Sequence, residues 1–140
     1  KQKQWQRWSE EVIPSIISPY LGYIQQSASL QSILDLGCST GGDSRCSGFC
    51  CLQSLVVTCV LFNRALFVNI SCCKCSSALL QLMTCGLIAC APVAPSLVVD
   101  IRVLELVKHL FVQMTPNSTV WCEALETFLN EQGYNLNTKV

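Results

Sequence analysis

Six cysteines fall in two short groups, Cys46, Cys50 and Cys51 in one and Cys72, Cys73 and Cys75 in the other. Thiolates are soft ligands, and two cysteine pairs brought together supply the tetrahedral sulfur set of a structural zinc ion. Cys73-Lys74-Cys75 offers one pair, and Cys46, Cys50 and Cys51 offer the other. The expected metal ligands are therefore Cys46, Cys50, Cys51, Cys73 and Cys75, with zinc as the cofactor. Their spacing differs from the Cys-x2-Cys of common zinc turns, so the pattern speaks for a metal more firmly than it names the ligands. Burial as small hydrophobes and pairing as disulfides compete for the same thiols.

The remaining chemistry-bearing residues do not assemble into a catalytic set. Cys59, Cys85, Cys90 and Cys122 read as small buried hydrophobes. His109 is the one histidine and lies on a helical stretch, where an isolated imidazole is structural or solvated. A Cys–His nucleophile pair is the enzyme alternative, tested by alkylation at neutral pH and by His109→Ala. Asp100, Glu105, Glu123, Glu126 and Glu131 are expected on polar helix faces. The glycine-rich run 36–42 lacks the Gly-Lys-Ser/Thr of a phosphate loop, and the chain around it is too short for a doubly wound nucleotide fold.

The cysteines must be positioned by what lies between them. Residues 55–62 and 66–70 are apolar and β-branched, and Asn63-Arg64-Ala65 makes the break, so a β-hairpin is expected that joins both groups at its open end. Before it, Trp5, Trp8, Val12 and Ile16 recur at helical spacing, with Pro14 and Pro19 expected to kink or divide the helix. After it, Ser76 or Ser77 caps a helix that ends near Gly86, and Pro92 and Pro95 bracket an extended connector. An amphipathic helix over 97–112 follows, then a last one opened by Thr115-Pro116 and stopped by Gly133. The expected class is α+β: an N-terminal helix over 1–26, a zinc-ribbon-like cysteine cluster over 46–90, and a C-terminal helical layer over 97–133, in one domain.

Composition narrows the function classes. Hydrophobic residues are 51% of the 140 and charged residues 13%, so the chain should bury a core and further surface against something else. Nine basic residues balance nine acidic ones, and Lys1, Lys3 and Arg7 are the only basic cluster, which argues against strong DNA affinity by this segment alone. Eleven cysteines without an opening secretion signal favour a reducing compartment. Between Lys74 and Asp100 no charge occurs, but Pro92 and Pro95 interrupt that window; Arg64 interrupts the other apolar window at a cost of about 2.5–3.5 kcal/mol on insertion scales. An integral membrane or secreted cysteine-rich protein is the alternative class. Lys1 opens the chain without a methionine, so it is expected to be part of a larger protein.

From Cys73 onward the order of residues resembles a known family. Cys73-Lys74-Cys75-Ser76-Ser77-Ala78, Gln81-Leu82 and Cys85-Gly86-Leu87-Ile88-Ala89-Cys90-Ala91-Pro92 resemble the cysteine-cluster region found with KDZ transposases of fungi. Pro95, Val99-Asp100-Ile101-Arg102-Val103-Leu104-Glu105, Pro116-Asn117, Trp121, Leu125-Glu126, Phe128-Leu129 and Gly133-Tyr134 continue the likeness, and Trp5, Trp8, Pro14 and Tyr20-Leu21 precede it. The family tends to show Phe-Pro where this chain has Ile88-Ala89, and its upstream Cys-x-Cys pair is met here by Cys46, Cys50 and Cys51 at other spacings. The resemblance implies a non-catalytic zinc-binding part of a cut-and-paste DNA transposase, in the nucleus. A nuclease domain would lie beyond Val140, and DNA or a protein partner would be met through the full-length protein.

Overall fold

The computed structural model describes residues 2–27 and 52–135. The N-terminal segment runs through α1 (Gln2–Arg7), a π-helical turn (Trp8–Val12) and α2 (Ile13–Gln26). The chain stays helical through both prolines. Pro14 falls in the first turn of α2, where a backbone donor is dispensable. Just ahead of it the helix widens, and Ile13 donates its N–H to the carbonyl of Trp8, five residues back.

The expected hairpin forms, longer than its apolar runs. Strand β1 (Leu52–Val60) pairs antiparallel with β2 (Ala65–Cys73), from Leu52 opposite Cys73 to Val60 opposite Ala65. Leu61 N–H donates to Arg64 O at 2.9 Å and closes the turn, so Ala65 belongs to the strand. The hairpin is not an isolated zinc ribbon. Strand β4 (Leu97–Asp100) runs parallel to β1, and β3 (Leu87–Ala89) pairs antiparallel with β4. The result is a mixed sheet in the order β2-β1-β4-β3, with β2 at an edge.

Helix α3 (Ala78–Thr84) follows β2 and is capped by Ser77, whose Oγ accepts Leu79 N–H at 3.3 Å. Helix α4 (Ile101–Gln113) starts later than the amphipathic pattern indicates. Val98 and Val99 join the sheet, and Asp100 caps the helix by accepting Arg102 N–H at 2.8 Å. Asp100 is therefore buried, not displayed on a polar face, and the Arg102 guanidinium pairs with it at 2.6 Å. In α5 (Ser118–Glu131) the cap is Asn117, accepting from Val120 N–H, so Thr115-Pro116 lies just outside. Gly133, at φ +88, ends it as expected.

Strand periodicity divides the hairpin into two faces. Val57, Cys59, Ile70 and Cys72 face the core, where α3 brings Leu79 and Leu82 and the N-terminal segment brings Val12. A second cluster joins Tyr23, Met83 and Ile101. Val56 and Phe67 stand on the opposite face, 64% and 81% exposed.

Candidate metal centre

The two cysteines that end β2 have opposite fates, because adjacent strand residues point to opposite faces. Cys72 points inward and is 5% exposed, and burial pushes its thiol pKa up. Packed with Val57, Cys59 and Ile70, Cys72 is a core residue. Cys73 points the other way and is half-buried, and Cys75 is exposed. Between them the chain turns: Ser76 N–H approaches Cys73 O at 3.4 Å, and Cys75 N–H donates to Cys73 Sγ at 3.3 Å. That contact holds the two residues of the Cys-x-Cys pair in one short turn.

One side chain from α3 braces this turn. Gln81 accepts Cys73 N–H on Oε1 at 3.0 Å, and its Nε2 donates to Cys73 O at 3.0 Å and Ser76 O at 3.1 Å. In the sequence this glutamine stands out only through the Gln81-Leu82 pair of the family resemblance, which says nothing of a bracing role.

Of the expected ligands, Cys73 and Cys75 come together in this turn, while Cys46, Cys50 and Cys51 lie outside the described residues. Among the described residues no group of three or more His, Cys, Asp and Glu side chains is placed to hold a metal ion. Cys59 is fully buried as expected, and burial, with the Asp100 carboxylate adding to it, pushes its thiol up to about 11. Cys90, which follows the end of β3, and Cys122 on α5 are both exposed, against expectation, and burial followed by the neighbouring Cys122 pushes the Cys90 thiol pKa up. Cys85 is disulfide-bonded and so is not the simple apolar filler its neighbours imply. His109 is exposed on α4.

A family model described as a CxC1 like cysteine cluster associated with KDZ transposases matches residues 42–134. The chain belongs to this family. The match covers well over half of the chain and takes in the sheet, α3, α4 and α5. Within this CxC1-like cluster it also includes Cys46, Cys50 and Cys51 together with Cys73 and Cys75. No curated protein and no solved structure matches the chain.

Thiols are donors of the kind a thiophilic ion takes. Cys73 and Cys75 supply two sulfurs from one short turn. The hairpin ends with Leu52 paired to Cys73, where the Cys73-Lys74-Cys75 turn leaves the sheet. Among the described residues no helix is long and apolar enough to cross a membrane.

Proposed function

We propose that the domain is a non-catalytic, zinc-supported scaffold of a KDZ-type transposase. In it Cys73 and Cys75, with sulfur from among Cys46, Cys50 and Cys51, hold one Zn2+ ion at the open end of the hairpin. The observation that carries this reading is the Cys75 N–H donated to Cys73 Sγ, in a turn that leaves the sheet beside Leu52, where β1 begins. Bound zinc supplies cross-linking, not chemistry: it ties the segment before β1 to the turn after β2. Structural zinc contributes roughly 10–16 kcal/mol of apparent binding energy in small peptides, comparable to the whole stability of a domain. DNA is met through the full-length protein in the nucleus. Exposed Val56 and Phe67, on the same sheet face as Cys73, support docking to a protein partner or to another domain.

Elemental analysis of the purified chain tests the proposal. One zinc per chain is expected, lost in Cys73→Ser and Cys75→Ser and retained in Cys72→Ser. Metal content that is absent, or unaffected by the first two changes, contradicts it. The disulfide at Cys85 favours a second reading, an oxidised cysteine-rich protein. Alkylation without reductant separates the two, because that reading leaves the clustered thiols blocked even after zinc is chelated.

A further inference from the structure

Strand β2 is an edge strand, so backbone groups on its outer side have no neighbouring strand to bond. At Cys73 both of those groups are taken by one side chain. The Gln81 carboxamide accepts the Cys73 N–H and donates to the Cys73 carbonyl, as the peptide of an adjoining strand would. Its second amide hydrogen goes to Ser76 O, beyond Cys75. One amide thus clamps the backbone at the start and the end of the Cys73-Lys74-Cys75 turn. Only a carboxamide of this length does so: a glutamate has no donor for the two carbonyls, and an asparagine is one methylene shorter.

We propose that Gln81 is the positioning residue of the Cys73-Lys74-Cys75 turn, holding its two sulfurs preset for a thiophilic metal ion. The inference rests on the metal reading above and adds the element that sets its geometry. A clamp rooted in α3, with Leu82 beside it fully buried, transmits the rigidity of the core to a turn that is otherwise exposed. Partners outside the coordination shell that orient ligands typically change metal affinity by about 10–100-fold when removed.

Cobalt(II) titration of the full 140-residue chain, followed by zinc competition, tests this. Gln81→Met keeps the side-chain volume and removes all three hydrogen bonds, and Gln81→Ala removes both. Each variant is expected to bind cobalt about 10–100-fold more weakly, with a shifted thiolate-to-cobalt charge-transfer band. Each should stay folded without metal, with its unfolding midpoint lowered only modestly from that of the metal-free wild type. Wild-type affinity and spectrum in Gln81→Met overturn the inference and leave the metal reading standing. Weakened binding matched by unfolding of the metal-free variant assigns Gln81 to the fold alone and also overturns it. No charge-transfer band in the wild type overturns the metal reading and this inference together.

Discussion

Gly86 has φ +74, and a Cβ built on it would meet Cζ of Tyr23 at 2.2 Å and its hydroxyl oxygen at 2.5 Å. The backbone conformation and the ring each demand glycine, and they do so independently. Gly86→Ala is therefore expected to destabilise the chain by more than about 2 kcal/mol, read from urea unfolding. Retained stability would show that Tyr23 does not pack on this turn. Cys59 makes a different prediction. Its folded-state pKa is raised to about 11 from an ordinary 9.0, so its contribution is complete below pH 9 and is lost as pH rises toward 11. Tyr23, raised by burial and then by Asp100, acts in the same direction at higher pH. Stability should fall by about 2 kcal/mol across that alkaline window, and Cys59→Ala should flatten the fall after a neutral-pH cost of about 1 kcal/mol. An unchanged alkaline slope in Cys59→Ala would rule the thiol out as its source.

At the scale of elements, what was legible followed the strength of the local signal. Long β-branched runs marked the hairpin, and Ser77 and Gly133 marked helix ends by chemistry that acts within a few residues. Strands β3 and β4 were hidden because three or four residues are too few to show a period. Residues 97–100 also continue the apolar pattern of α4, so only the capping bond of Asp100 shows where strand yields to helix. Pro14 marked where the N-terminal segment divides, at the start of α2, but the π-helical turn before it has no sequence signature of its own, and Pro19 lies inside α2. The Ser77 cap joins the sheet to α3, and Ser77→Ala should cost about 0.5–2 kcal/mol in urea unfolding. A neutral result would place the cap outside the cooperative unit.

For the whole molecule, the cysteine groups and the family resemblance were both visible in the residues, and the family match bears the resemblance out over residues 42–134. The finer geometry was not visible. That Cys72 turns into the core while Cys73 and Cys75 stay in one turn depends on register, and register is fixed by the pairing of whole strands. Gln81 was hidden because its role arises from a helix folding back on a sheet edge, which no local pattern encodes. Zero net charge gives the chain no basic excess with which to grip DNA by itself.

The proposed centre has sulfurs from both ends of the hairpin sharing one metal ion. X-ray absorption at the zinc edge of the purified chain reads that coordination directly. Four sulfur neighbours at about 2.3 Å are expected, with the sulfur count falling in Cys73→Ser. A shell of oxygen and nitrogen alone, or a sulfur shell that Cys73→Ser leaves intact, would contradict it.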